Sequence, residues 1–161
     1  MLVFFSAACL ATPASSGDST TDPTTCIPAG QNAQIARVVH IADGDTITVE
    51  MGGERYRVRY IGINTPELDS AENDLAVAAS RLNEALVAGQ EVSLYRDTSE
   101  TDRYNRLLRY VLVGDTYINY ELVRQGAARA QDYPPDSACA DTFAGAQQSA
   151  QDAGLGLWAD D

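Results

Sequence analysis

The chain of 161 residues lacks lysine, has a single histidine and contains no Cys-x-x-Cys pair. One histidine excludes mechanisms that need two, so we expect His40 to be an ordinary strand or loop residue. Without a Cys-x-x-Cys unit, a structural zinc site is not expected. The sequence also lacks a Walker loop and a dinucleotide-binding fingerprint. The chemistry that remains is that of carboxylates and arginines.

The charge of the chain is strongly negative, with 23 Asp and Glu against 11 Arg and a formal net charge of -12. Such a balance argues against binding nucleic acid through bulk charge. The arginines are clustered, however, at positions 55, 57 and 59 and at positions 103, 106 and 109. These clusters allow a locally positive cleft on a negative protein. A lysine-free, acidic composition fits a salt-loving source, where charge is screened, and equally a GC-rich genome.

The N-terminal residues 1–10 are apolar and too few to span a bilayer, which needs about 20 residues as a helix. They contain Ser6-Ala7-Ala8-Cys9 before Leu10 and resemble the end of a secretory signal. The small residues before Cys9 also resemble a lipoprotein box, in which Cys9 would carry a lipid. Residues 11–32, rich in Ser, Thr and Pro, are expected to form a flexible tether before a folded domain at 33–159.

Three cysteines leave one unmatched if the other two pair. In an exported protein, Cys26 and Cys139 are a natural disulfide pair because the compartment is oxidising. That bridge would close a loop of 113 residues and stabilise the fold by roughly 4–5 kcal/mol in the chain-entropy model. The alternative is that both are buried free thiols.

The folded part shows strand patterns and helix patterns in one order. Alternation and turn residues predict five strands, at 33–41, 46–51, 55–61, 91–95 and 107–113. Helical spacing and terminal glycines predict three helices, at 70–88, 118–125 and 141–153. Three strands, a helix, two strands and closing helices predict an α+β fold, a five-stranded OB-fold barrel with about three α-helices.

Three polar segments, 43–46, 59–67 and 102–107, carry residues suited to phosphate chemistry. A guanidinium group donates two hydrogen bonds to a phosphate and stays charged. Carboxylate and carbonyl oxygens are the ligands that calcium and magnesium prefer. Taken singly, each segment is ordinary: a hairpin turn, a surface strand that leads into a helix, and a polar loop.

Taken together and in this order, the segments resemble the thermonuclease, or staphylococcal nuclease-like, family. That family has an Asp-Gly-Asp-Thr turn, then Arg-x-x-Gly-Ile-Asp-Thr-Pro-Glu, then Asp-Arg/Lys-Tyr-Gly-Arg. Its two later motifs have counterparts here at 122–126 and 155–158. The resemblance covers residues 33–159, and five ordered motifs make it specific.

The resemblance implies a role for each matching residue. Arg59 and Arg106 would clamp the scissile phosphate, and Glu67 would orient or deprotonate the attacking water. Calcium would be held by three further residues, supported by Asp43 from behind: Asp45, Asn64 and the backbone carbonyl of Thr65. Substrate would also meet Arg103, Tyr104 and Tyr133.

The activity implied is sequence-tolerant, calcium-dependent cleavage of DNA and RNA that leaves 3′-phosphate ends. We expect a secreted or cell-surface monomer with no obligate protein partner and, if Cys9 is lipidated, a membrane tether. The alternatives are a non-catalytic OB-fold module that binds nucleic acid or protein, and a structural domain of the cell envelope.

The sequence departs from the family pattern at three places. Asn64 replaces a metal-binding Asp, which keeps an oxygen ligand but removes a negative charge, so we predict a weaker metal site. Asn105 replaces a Gly, a mild change because Asn tolerates left-handed turns. Tyr133 is the one aromatic in the loop at 130–136, and it either stacks on a base or covers the barrel.

Overall fold

The computed structural model describes residues 21–68 and 71–159. Predictions for Cys9, for residues 1–10 and for the first part of the tether concern residues outside that range. The strands are β1 (Gln34–Ile41), β2 (Thr46–Met51), β3 (Glu54–Tyr60), β4 (Ile63–Asn64), β5 (Glu91–Tyr95), β6 (Leu107–Val113), β7 (Thr116–Tyr117) and β8 (Arg129–Ala130). The helices are α1 (Asn73–Val87), α2 (Ile118–Arg124) and α3 (Ala140–Asp152).

Five of the strands close into a barrel. They are hydrogen-bonded in the order β3-β2-β1-β5-β6, and β3 returns to pair with β6. All neighbours are antiparallel except β3 and β6, which run parallel with Val58 opposite Leu107 and Arg59 opposite Leu108. The predicted five-stranded barrel with three helices is therefore confirmed. Strand β7 pairs antiparallel with the end of β6, and β4 pairs with β8 in a separate two-stranded sheet.

Alternation of side chains along each strand separates the core from the outer surface. On β3, Val58 and Tyr60 are buried whereas Arg55 and Arg57 are exposed, as a period of two requires. Their partners on β2 follow the same rule, so that Ile47 and the neighbouring Val49 point into the core. Burial of these branched side chains is the main force that closes the barrel.

Helix α1 packs its small residues on the barrel. Its fully buried residues are Ala76, Ala79, Asn83 and Val87, whereas Leu82 and Leu86 are only partly buried. A polar residue, Asn83, therefore faces inward on this helix.

Two late sequence motifs pack against each other. Gly126, after α2, has a φ of 72°, and a Cβ atom there would lie 2.1 Å from the backbone oxygen of Leu155. Leu157 N donates a hydrogen bond of 2.8 Å to Gly126 O. Glycine is required here both by the left-handed backbone and by the close approach of the second chain segment. The motifs thus fasten the C-terminal turn to α2.

A disulfide joins Cys26 to Cys139, with their Cα atoms 5.0 Å apart. Cys26 ends a short 3-10 helix (Pro23–Cys26), and Cys139 precedes α3. Nearby, Gln31 Nε2 donates to Arg96 O at 2.6 Å, and Arg96 N donates to Gln31 Oε1 at 3.0 Å. The later part of the expected tether is therefore attached to the domain at two points. Within the residues described, no helix combines the length and the apolar character needed to cross a membrane.

Candidate active site

A cavity of about 550 Å³ opens beside the seam between β3 and β6. The three polar segments that are separated in sequence all contribute to its wall. Of the predicted site residues, those that line it are Asp43, Asp45, Arg59, Asn64, Glu67, Arg103, Tyr104, Arg106 and Tyr133. The structure therefore brings the predicted catalytic and binding residues onto one surface.

Asp45 lies in the tight turn between β1 and β2 and is almost fully buried. Its Oδ2 accepts hydrogen bonds from Thr65 N at 2.9 Å and from Thr65 Oγ1 at 3.1 Å. Burial raises the pKa of the Asp45 carboxyl above its usual value; the charge of Arg59 opposes this rise and that of Asp43 reinforces it. Thr65 does not line the cavity itself but fixes Asp45 from behind.

Arg59 is held tightly at the end of β3. Its Nη1 donates to the backbone oxygens of Tyr60 at 2.7 Å and Ile63 at 2.9 Å. Its Nη2 donates to Asn64 Oδ1 at 3.0 Å and lies 3.2 Å from Asp45 Oδ2. Both nitrogens are thus oriented by the protein. The partners of Nη2, Asp45 and Asn64, are two of the residues that the family resemblance implies as calcium ligands.

Arg106 is oriented by Asp102, a residue that the sequence had not assigned a role. Asp102 Oδ2 accepts from Arg106 Nε and lies near Nη2, each at 2.7 Å. Burial alone would raise the pKa of Asp102, but hydrogen bonds from Arg106 and Tyr104 lower it overall. Asn105 completes this turn with a φ of 59°, the left-handed conformation that Asn tolerates.

Glu67 is exposed at the mouth of the cavity, where water can reach it. It follows Pro66 and the short strand β4, whose residues Ile63 and Asn64 pair with β8. The pairing holds the middle of the segment 59–67, and Arg59 and Glu67 at its two ends both line the cavity. An exposed carboxylate beside two oriented guanidinium groups is the arrangement needed to activate water near a phosphate.

Two tyrosines flank the cavity with exposed rings, Tyr104 at 61% and Tyr133 at 47% exposure. The guanidinium carbons of Arg103 and Arg106 lie 4.7 Å and 5.4 Å from the centre of the Tyr104 ring. Flat, exposed aromatic rings beside arginines can stack on nucleic-acid bases.

Two buried polar residues that sequence reasoning missed hold this site in place. Asn83 Oδ1 accepts from Tyr60 OH at 2.8 Å, and Asn83 Nδ2 donates to Asp43 O at 2.9 Å. Asp136 Oδ1 accepts from Thr98 N at 3.0 Å and Ser99 N at 2.7 Å, which ties the Tyr133 loop to the end of β5. A signal existed for Asn83, because it follows Ala76 and Ala79 at helical spacing. None existed for Asp136.

The cavity is not positive. Five carboxylates line it against three guanidinium groups, which leaves a formal charge of -2. Arg109, which the sequence grouped with Arg103 and Arg106, is buried and pairs with Glu100 instead. Among the described residues, no three His, Cys, Asp or Glu side chains are grouped as a metal site. The predicted calcium set has a different composition, since it relies on amide and backbone oxygens as well as carboxylates.

This fold and cavity define a class of protein, a small barrel whose mouth presents carboxylates and guanidinium groups suited to phosphate esters. Comparison with known proteins agrees. Residues 57–160 match the family model described as staphylococcal nuclease homologue. The thermonuclease of Staphylococcus intermedius is 36% identical over 132 residues, which are 80% of this chain and 77% of that protein. The thermonuclease of Staphylococcus hyicus is 34% identical over 130 residues, 79% of this chain and 77% of that protein.

An endonuclease of Bacillus subtilis is 35% identical over 121 residues, which are 72% of this chain and 57% of that protein. The chain therefore belongs to the staphylococcal nuclease family and is a nuclease, a hydrolase of phosphodiester bonds.

Proposed function

We propose that the protein is a calcium-dependent, sequence-tolerant nuclease that cleaves DNA and RNA and leaves 3′-phosphate ends. One observation carries the proposal: Arg59, Glu67 and Arg106, from three separate segments, line a single cavity together with Asp45. In this cavity Glu67 accepts a proton from the attacking water. The water oxygen bonds to phosphorus as the bond from phosphorus to the 5′ oxygen breaks. The 5′ oxygen takes up a proton from solvent, and the phosphate stays on the 3′ oxygen.

The two arginines stabilise the negative charge that grows on the phosphate oxygens in the transition state. Arg106 keeps Nη1 for a phosphate, because Asp102 takes only Nε and Nη2. Arg59 differs, since Asp45 and Asn64 occupy its Nη2. Arg59 Nη2 can therefore donate hydrogen bonds to a phosphate only after the oxygens of Asp45 and Asn64 have left it.

The residues around Asp45 fit a hard divalent cation such as calcium. The donor set consists only of oxygens, from Asp45, the Asn64 amide and the Thr65 carbonyl, with Asp43 as support. The formal charge of -2 on the cavity wall also calls for a cation before a phosphate can approach. A bound calcium ion would supply positive charge beside the scissile phosphate.

We further propose an exported protein with the domain at 33–159, a tether at 11–32 whose later part is attached to the domain, and an N-terminal segment at 1–10 that directs export and lipidation of Cys9. Support comes from the Cys26–Cys139 disulfide, since such bonds persist in oxidising compartments. We expect the protein to act as a monomer without an obligate partner.

Digestion of plasmid DNA and of RNA, with calcium and then with a chelator, tests the activity. The parent protein should cut both in calcium and neither with chelator. Glu67→Gln should lower kcat by at least about a hundredfold. The matched control is Glu84→Gln, which removes an exposed carboxylate of α1 and should leave the rate unchanged.

The products report the position of cleavage. Fragments with 3′-phosphates carry 5′-hydroxyl groups, which accept labelled phosphate from a kinase without prior phosphatase treatment. If the parent protein cuts nothing in calcium, the barrel is a non-catalytic binding module. If Glu67→Gln cuts as fast as the parent, the role of Glu67 is wrong.

A further inference from the structure

The outer face of strands β1 to β3 carries a group of arginines that the proposed mechanism does not use. Alternate residues of one strand lie on the same face, so Arg55 and Arg57 share the outer face of β3 with Arg59. Arg37 on β1 lies on this face too, because it pairs with Glu50, and Glu50 pairs with Arg55.

These arginines outnumber the carboxylates that pair beside them among the described residues. In the part of the chain that the structure describes, Arg37, Arg55 and Arg57 form no ion pair with a carboxylate. All three are exposed, and their pairing neighbours include two carboxylates, Glu50 and Glu91, so the guanidinium groups outnumber the carboxylates by three to two. A locally positive surface therefore exists on a chain with a net charge of -12, but it lies beside the cavity, not within it.

The surface is continuous with the cavity at Arg59. Successive outward residues of a strand are about 6.6–7 Å apart. That spacing is close to the separation of neighbouring phosphates in an extended nucleic-acid strand. The seam gives a second link: Val58 lies opposite Leu107, so Arg57 and Arg106, each one residue earlier, are level with each other along the seam.

We propose that Arg55 and Arg57, with Arg37 beside them, bind the phosphate backbone of the nucleic-acid strand as it leaves the cavity. This inference rests on the proposed function, since it extends the same substrate by two or more nucleotides beyond the scissile phosphate. The surface lacks an exposed aromatic ring on β3, so it follows the backbone without reading bases. It makes the enzyme prefer polynucleotides to short fragments.

The double variant Arg55→Gln with Arg57→Gln tests the surface, and Arg81→Gln is the matched control. Arg81 is exposed on α1, forms no ion pair within the described residues and is not part of the strands that carry the arginine surface. Binding is measured by fluorescence anisotropy with a single-stranded phosphorothioate 20-mer in calcium, a probe that keeps its charge and resists cleavage.

The double variant should bind the 20-mer about five- to tenfold more weakly. The slope of log Kd against log salt concentration should fall by about 1.4, or about 0.7 for each lost phosphate contact. The KM for a cleavable 20-mer should rise by more than the KM for a dinucleotide. Arg81→Gln should match the parent in each assay.

Equal binding and salt slope for the double variant and the parent would overturn the inference. So would an equal loss in Arg81→Gln, which would indicate a bulk charge effect. A parent protein that cleaves neither substrate contradicts the proposed function instead, and the binding comparison then still decides on the surface.

Discussion

Asn64 is the residue at which this chain differs most consequentially from its family pattern. Its amide oxygen lies in the cavity and accepts a hydrogen bond from Arg59. An Asp at this position would bring a second full charge next to Asp45. The Asn64 amide is neutral, so it keeps the local repulsion small and, in the proposed calcium site, would supply an oxygen without a second charge.

Replacing Asn64 by Asp should therefore tighten calcium binding by roughly tenfold, because calcium affinity follows the number of charged ligands. Isothermal titration of calcium into the protein without nucleic acid measures this directly. Asn32→Asp adds the same charge at an exposed position before β1 and should not change the affinity. A calcium affinity for Asn64→Asp equal to that of the parent would show that position 64 is not a ligand.

At the scale of elements, the packing of the turn after α2 against the C-terminal turn explains two motifs that have no catalytic residues. Gly126 cannot accept a side chain because the backbone oxygen of Leu155 occupies the space. Gly114, in the turn between β6 and β7, also has a positive φ, of 55°, but nothing lies within 4 Å of an added Cβ. A side chain at Gly126 would therefore meet both a steric clash and an unfavourable backbone conformation, whereas one at Gly114 would meet only the unfavourable conformation.

Gly126→Ala should lower the free energy of unfolding by about 3 kcal/mol or more, since it adds a clash to a strained backbone. Gly114→Ala should cost only about 1–2 kcal/mol, the conformational part alone. Urea denaturation followed by circular dichroism measures both. Equal losses would mean that the C-terminal turn moves aside at little cost.

Sequence patterns predicted the elements well where side chains alternate or repeat over several residues. Strands β2, β5 and β6 have the predicted bounds, because branched residues and flanking turns mark them clearly. Strands β4, β7 and β8 were missed, since two residues carry no period. The spacing of apolar residues predicted α1 but not that the polar Asn83 is buried, because that burial depends on its hydrogen bonds to Tyr60 and Asp43.

The sequence predicted which residues line the cavity, but not the hydrogen bonds and ion pairs that they form. Motif order gave Arg59, Glu67 and Arg106, and the cavity contains all three. The pairing of Arg59 with Asp45 depends on how β3 meets the turn before β2, which no local pattern encodes. The same holds for Arg109, whose position among other arginines suggested a surface role although it is buried.

At the scale of the whole molecule, Arg109 makes acid stability depend on Glu100. The guanidinium group of Arg109 donates to Glu100, and this hydrogen bond lowers the pKa of Glu100 below 4.5 despite the opposing effect of burial. A carboxylate whose pKa is lower in the folded state than in the unfolded state stabilises the fold. This stabilisation is complete at pH values above the pKa of the unfolded chain. That contribution is lost as the pH falls from about 4.5 through the lower folded pKa.

Glu100→Gln should therefore lower the Tm at pH 7 and have a progressively smaller effect as the pH falls below about 4.5, because Glu100 of the parent then takes up a proton as well. Thermal unfolding between pH 3 and pH 7 shows whether the two curves converge. Glu84→Gln, which breaks no described ion pair, serves as the control for loss of charge. A difference in Tm that stays constant across this range would contradict the assignment.

The Cys26–Cys139 bond also acts on the whole molecule, since it closes a loop that contains the entire barrel. Removing it by a double replacement with Ala should lower the free energy of unfolding by about 4–5 kcal/mol, mainly by freeing the unfolded chain. Urea denaturation of the double variant and of the parent, with and without reductant, measures the loss. A double variant as stable as the oxidised parent would mean that the covalent link adds nothing.

The parallel pairing of β3 with β6 implies a particular order of events during folding. Its pairs join residues 58–60 to 107–109, whereas the hairpin of β2 and β3 joins near neighbours and can form early. Arg59 and the turn before Leu107 come together only when β3 pairs with β6. We therefore expect a chain that has formed its hairpins but not this pairing to have no nuclease activity. Catalytic competence should thus appear last when the denatured protein is diluted into buffer. Stopped-flow cleavage of a fluorogenic oligonucleotide, compared with the signal of β-structure, would reveal the lag.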